Sequence, residues 1–503
     1  MTRITVILKG RLTSFLAILL LGLVAYSTAQ EPLVMAMSAQ PETLDPHITS
    51  ATSSFQVTKS LYDTLVEADQ AGVLVPALAD SWNISDDGLT VTFNLAEGVM
   101  FHDGSNLDST DVAATLERLL AEETASPKAE EFQTIVSTET PDELTVVLSL
   151  SEPSPALLAS LASGWGAILP SEKIAEGHDF ANDPVGTGPF MLEDWVRDSN
   201  LLLTRFEDYY QGPAASEQVR LRFVTDSAVQ LQGLLAGDFD VINTVASADI
   251  PMVDGEDGLE LIQEPSGLVL VAAVNNRREY LANPLVRQAF NHAIDKATVL
   301  EVAYGGGTPV GTFMEAGSPW YPASITPFAY DPELASSLLA EADFPMDQVL
   351  DIVLPQPFEA HITAGQIVQD MLSEVGIQSE LRVVEWGVWL SDIFRGERDF
   401  DITVIGHTGK LDPTGRLGGY GDPETNYVGY TSSDVTELLV QAAQTPDVLA
   451  RESLYTDALT AMHEDAPFIY FGTPFRTYAQ QVEVDGFWIT PLLDTFDFHG
   501  ASK

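Results

Sequence analysis

Leu268–Val274 reads LVLVAAV, seven apolar residues without a polar interruption. A run of strand length with nothing polar in it has to be buried on both faces, as strands are in the middle of an α/β sheet. The sequence around it agrees. Asn283-Pro284 opens a helical pattern with Val286, Phe290, Ile294 and Val299 on one side, which predicts a single long helix. Strands are expected at 351–354, 377–384 and 400–406, with a helix at 364–375 between the first two. Helices at 434–443 and 447–464 then lead to a last strand at 466–471. This alternation argues an α/β architecture. With 503 residues, 45% of them hydrophobic, the chain has room for two or three domains.

The first half is built differently. In Val75–Leu120, Ser85-Asp86-Asp87-Gly88 is a turn, and Leu89, Val91, Phe93 and Leu95 then alternate with polar residues as a half-buried strand does. A second turn at His102-Asp103-Gly104 precedes Asp108, the expected N-cap of a helix carrying Val112, Leu116, Leu119 and Leu120 on one face. Ser53–Glu67 has apolar residues mostly at helical spacing, Leu144–Leu150 alternate as a strand, and Ser154-Pro155 read as the cap and first residue of a helix. A helix over 226–240 is ended by Gly237. Gly186 and Gly188 fit neither phosphate-binding glycine pattern and are expected to let the chain turn between domains.

Composition removes several kinds of chemistry. There is no cysteine, which excludes disulfides, thiolate metal sites, thiol nucleophiles and a lipid on an N-terminal Cys. The eight histidines are scattered and no pair has ligand spacing, so no metal site and no cofactor are expected. His463-Glu464 lacks the second histidine of a zinc motif, and no serine-nucleophile elbow is present, so no catalytic residue is assigned. A formal charge of −51 opposes any nucleic acid partner and suits a soluble exported protein or a salty habitat. Residues 1–29, with Arg3, Lys9 and Arg11 before an apolar stretch and Ser27-Thr28-Ala29 after it, read as a secretory signal.

SDDGLTVTFNLAEGVMFHDG followed by DVAATLER resembles the signature of the extracellular solute-binding proteins that serve peptide- and nickel-type ABC importers, bacterial solute-binding protein family 5. Ala96 and Met100 stand where that family usually has basic residues. PVGTGPF at 184–190, PLVRQAFNHAIDKATVLE at 284–301, Tyr330-Asp331-Pro332 and EDAPFIYF at 464–471 resemble the same family, as do Thr43-Leu44-Asp45-Pro46 and Leu61-Tyr62-Asp63. The resemblance implies a two-lobed periplasmic-binding-protein fold of type II with an extra subdomain in the first lobe. Lobe I would comprise 30–55, 186–267 and 476–503, the inserted subdomain 56–185, and lobe II 268–475. It further implies a monomer that captures a peptide or other small polar solute by hinge closure and delivers it to an ABC permease in the periplasm. A secreted hydrolase, or a receptor feeding chemotaxis or signalling, is the alternative.

In peptide-binding members an Asp three residues before a "[DE]P" pair receives the peptide ammonium. Here Asp412-Pro413 supplies the pair, but Gly409 stands in place of that Asp, and His407 in place of the usual Trp. An ammonium buried without a carboxylate is costly. The loop His407-Thr408-Gly409-Lys410 with Asp412 and Arg416 is therefore expected to favour a solute carboxylate through Lys410 and Arg416, unless these pair with surface acids. Asp412 reads more as a loop former than as a contact. Trp386 is a candidate to stack on solute or to fill the core, Trp165 a weaker one, and Gln40 and Glu42 follow the first strand toward the cleft.

Overall fold

Twelve strands join in one sheet, whose two halves share the fourteen-residue strand Phe468–Gln481. The computed structural model describes residues 31–356, 358–490 and 492–503, so the signal expected at 1–29 lies outside the described residues. Pro32–Lys503 form one compact unit.

In the second half, Leu268–Val274 lies between Ile402–Thr408 and Phe468–Gln481, antiparallel to both. Val349–Gln356 and Gln378–Glu385 extend this half in parallel beyond Ile402–Thr408. The apolar run is buried as expected. Val269, Val271 and Ala273 enter one core and Leu270, Ala272 and Val274 the opposite one. In the first half Leu33–Met37 is parallel to Gln218–Phe223 and Val241–Ile242, and Asn200–Arg205 and Phe190–Val196 follow antiparallel. The chain passes between halves twice, side by side. Leu259–Pro265 pairs with Phe475–Gln481, and the Ser266 N–H donates to the Pro474 carbonyl at 3.0 Å.

A separate four-stranded antiparallel sheet runs Ala79–Ile84, Thr90–Leu95, Thr145–Leu150, Ile135–Asp142. The helix Ser109–Leu120 packs on it, capped by Asp108, whose carboxylate accepts the Thr110 N–H at 2.7 Å while Asp111 accepts the Asp108 N–H at 2.9 Å.

Three local expectations are corrected and a fourth is extended. The long helix from Pro284 is two, Pro284–Ala293 and Lys296–Tyr304. Ile294 is extended, Asp295 caps the second helix, and the Lys296 ammonium turns back onto the Asn291 and Ile294 carbonyls. The helix expected over Ser53–Glu67 stops at Thr58. The carbonyls beyond it are taken by another segment, Ser60 by Phe190 N–H and Leu61 by Gly188 N–H. Ser154 does not cap the helix Ala156–Leu161 with its side chain; Pro155 precedes that helix and no side-chain cap bond forms. The chain does bend at 187–189, and Gly186 and Gly188 have a further use there. They let two backbones touch, because a Cβ would lie 2.2 Å from the Leu61 carbonyl oxygen at Gly186 and 2.5 Å from the Leu61 carbonyl carbon at Gly188.

The family-like motifs meet one another in space. Arg118 grips Asp45 through both guanidinium nitrogens, at 3.1 and 2.5 Å, and donates to His47 Nδ1 at 2.7 Å. His102 Nε2 donates to the Gly188 carbonyl at 2.9 Å, and its Nδ1 accepts the Gly186 N–H at 3.3 Å. Burial pushes that imidazole down to about 4. Arg287, buried, donates to the carbonyls of Leu281, Ala282, Asp465 and Ala466, tying one helix start to another helix end.

Candidate functional site

Strand direction locates the cleft. Leu33–Met37 and Val241–Ile242 run opposite to the end of Phe468–Gln481, and Ile402–Thr408 runs alongside its beginning. The carboxyl ends of the parallel strands in both halves therefore point toward the double crossing. Loops at such ends are where open α/β sheets receive ligands.

On the first side, Gln40 is committed to the hairpin turn at Asp198. Its amide oxygen accepts the Asp198 N–H at 2.9 Å and its amide nitrogen donates to the Asp198 carboxylate at 2.5 Å. Glu42 keeps an exposed side chain, while its N–H donates to Ser54 at 3.1 Å. Trp165 is half-buried. Its Nε1 donates to the Thr49 carbonyl at 2.8 Å, Phe55 meets it edge-on at 4.7 Å, and the Lys128 ammonium lies 5.6 Å from its ring centre. Lys128 is paired with Glu131 at 2.6 Å.

On the second side, His407 is the last residue but one of the strand Ile402–Thr408 and is half-buried. Its Nε2 meets the Tyr427 hydroxyl at 2.9 Å, and its ring lies edge-on to Phe313 at 4.8 Å. Burial, reinforced by Arg416, pushes it down to about 3, so it is neutral at any ordinary pH. The Thr408 side chain is exposed and its carbonyl accepts from Arg416 at 2.7 Å. Arg416 forms an ion pair with Glu315 at 2.9 Å, with the two side chains only 3% and 0% exposed. The acid that pairs Arg416 is thus a buried one and not a surface acid. Asp412 is similarly consumed. It binds Arg451 at 2.6 Å and accepts the Thr414 N–H at 2.9 Å, as a loop former does. At Gly409 a Cβ would stand 2.6 Å from the Gly267 carbonyl oxygen and 3.1 Å from Glu315 Oε1. That position has no space for a side chain. Lys410 is half-buried, and among the described residues no hydrogen-bond or ion-pair partner meets its ammonium.

Trp386 packs against other rings as a core residue would. One face stacks on Trp389 at 5.1 Å and 9°, Phe358 meets it at 5.0 Å and 77°, and part of the ring stays accessible. Trp389 continues to Phe394 at 5.7 Å, so four rings form a column at the end of Gln378–Glu385, with Phe358 and Phe394 exposed.

The family model described as "Bacterial extracellular solute-binding proteins, family 5 Middle" matches residues 73–428. The chain belongs to this family. This family 5 protein is 28% identical over 487 residues to the glutathione-binding protein GsiB of Salmonella paratyphi A, with 94% of each chain covered. Among solved structures it is similar to HbpA2 from Haemophilus parasuis, at 27% identity and a TM-score of 0.86, covering 94% of this chain and 99% of that one. It is also similar to the ABC transporter-associated periplasmic binding protein DppA from Helicobacter pylori in complex with the peptide STSA, at 26% identity and a TM-score of 0.71, covering 93% and 98%. The fold is the two-lobed type II arrangement. The protein is the substrate-binding subunit of an ABC importer for peptides or similar solutes, a carrier and not a catalyst. The secreted hydrolase is set aside on that ground. Among the described residues no helix is long and apolar enough to cross a membrane.

Sequence reasoning passed over three residues that contact the candidate site residues of this family 5 protein. Glu315 lies in an irregular segment far along the chain from Arg416 and gave no signal. Phe358 follows a strand end, where a contact loop was to be looked for. Lys128 had a faint mark, as the lone base between Glu122-Glu123 and Glu130-Glu131.

Proposed function

We propose that this importer subunit captures a small peptide-like solute through a carboxylate, with Lys410 as the receiving group. A carboxylate for a free peptide ammonium has no counterpart at Gly409. The observation that carries this reading is the pair of neighbours in one loop: a backbone packed too tightly at Gly409 for any acid, and beside it a half-buried cation without a partner among the described residues. Burial, more than any neighbour, pushes the Lys410 ammonium below its ordinary value, so an approaching anion gains from restoring it. That the relatives at 28% identity are named glutathione-binding is in keeping, since glutathione is a peptide with two carboxylates. Trp386 and Trp165 would supply apolar contact on opposite sides of the cleft. Export through residues 1–29, a periplasmic monomer without a lipid anchor, and the lobe limits given above belong to the same proposal.

A thermal-shift series on residues 30–503 tests it, because a ligand of the folded state alone raises the melting temperature. The series holds reduced glutathione, free tripeptides, N-acetyl tripeptides, sugars and divalent metals. Shifts with carboxylated solutes whether or not the amino group is free are expected. Strong shifts that vanish when the amino group is blocked would overturn the reading.

A further inference from the structure

Lys128 precedes the first residues of the segment that leads into the four-stranded sheet, and its ammonium is near enough to that of Lys410 to disfavour a second positive charge there. Three observations bring them together. Leu411, next to Lys410, is buried in the same apolar cluster as Phe132, Leu157 and Leu161 of that region. The Lys128 ammonium is held over the Trp165 ring at 5.6 Å and against Glu131 at 2.6 Å, while Ser160 Oγ also donates to Glu131 at 3.4 Å. The charges facing the Lys410 ammonium are Lys128, Glu131 and Arg416, and Arg416 is neutralised by Glu315. Of the two ammonium groups, Glu131 is bonded to that of Lys128 alone, which leaves the Lys410 ammonium without a carboxylate of its own among the described residues, in a chain whose overall formal charge is −51. A local excess of one positive charge against that background calls for one anionic group.

We propose that Lys128 and Lys410 form a two-sided carboxylate subsite, one half from the inserted region and one from the second lobe, over the face of Trp165. The inference rests on the carboxylate reading of Lys410. It adds a second receptor and a role in closure. Without solute, moving the lobes together presses two ammonium groups toward each other. With a carboxylate between them, the same motion gains two charge-assisted bonds. The ligand thus interacts differently with the open and closed arrangements, which is the condition for a ligand to drive closure. Glu131 competes for Lys128 and holds it in place until the solute arrives. Trp165 has spent its N–H on Thr49 and offers only its ring face to the apolar part of the solute.

The test uses N-acetyl-trialanine and its C-terminal amide, titrated by calorimetry at low salt into wild type, Lys128→Gln, Lys410→Gln, the double variant and Glu131→Gln. Melting temperatures close to wild type confirm that each variant is folded; all the altered groups are partly exposed. Wild type should favour the acid over the amide tenfold or more. Each lysine variant should lose most of that preference, the double variant should lose no more than the singles combined, and Glu131→Gln should bind the acid more tightly. If Lys410→Gln loses the preference while Lys128→Gln and Glu131→Gln match wild type, the two-sided site is overturned and the reading of Lys410 stands. If wild type shows no preference, or binds neither probe up to 10 mM, the carboxylate reading falls and this inference falls with it.

Discussion

At Gly409 the backbone is packed too closely for any side chain. Restoring the acid should not restore its use. Gly409→Asp would force a Cβ to within 2.6 Å of a backbone oxygen, so the loop has to shift. Overpacking of this kind costs about 1–3 kcal/mol. We expect a lower denaturant midpoint and no gain in binding of free peptides; a variant of normal stability that takes up tripeptides by their amino terminus would contradict the geometry. The sequence showed that the acid is missing. It did not show that the space is missing too, because Gly267 and Glu315 come from segments more than ninety residues away. The same distance hid the fate of Arg416. Its basic character was legible, while its burial against Glu315 depends on a partner that no local pattern marks.

Among elements, the motifs that were easiest to read serve to join one segment to another. FHDG fastens to the Gly186–Gly188 segment through His102, and Asp45 fastens to the helix carrying Arg118. Their wording marked the family, and the physical reason for the wording appeared only when both partners were seen. Periodicity was reliable where one face is buried, as in Leu268–Val274, and misled where tertiary hydrogen bonds interrupt a helical pattern, as after Thr58 and at Ile294. The His102 fastening has a pH signature. Its folded value, about 4, lies below the ordinary 6.5, so the unfolded chain binds the proton more readily. Its contribution is complete above pH 6.5 and is lost as the pH falls toward 4, by up to about 3 kcal/mol. Asp63, raised to about 7 chiefly by burial, acts in the opposite sense over this range. The comparison is therefore with His102→Asn, in which the other groups cancel. Wild type should lose stability relative to this variant between pH 6.5 and 4 in denaturant titrations; parallel pH profiles would show that His102 is not buried neutral.

Over the whole molecule the 74 acidic residues against 23 basic ones repel one another in the compact state. Salt shortens that repulsion, to a screening length of about 3 Å at 1 M. The melting temperature should rise by several degrees from 50 mM to 1 M sodium chloride, and a flat or falling curve would mean that the acids are spaced widely enough not to matter. If Lys410 receives a solute carboxylate as proposed, the same salt should weaken capture while it strengthens the fold.

The strand Phe468–Gln481 and its neighbour Leu259–Pro265 carry the chain from one lobe to the other as a ribbon, with Pro474 where the partner changes. Proline brings no N–H, so the ladder lacks a rung at the crossing. A ribbon with one rung missing resists twisting least at that point, so a bend between the two halves of the sheet costs least where the strand changes partner.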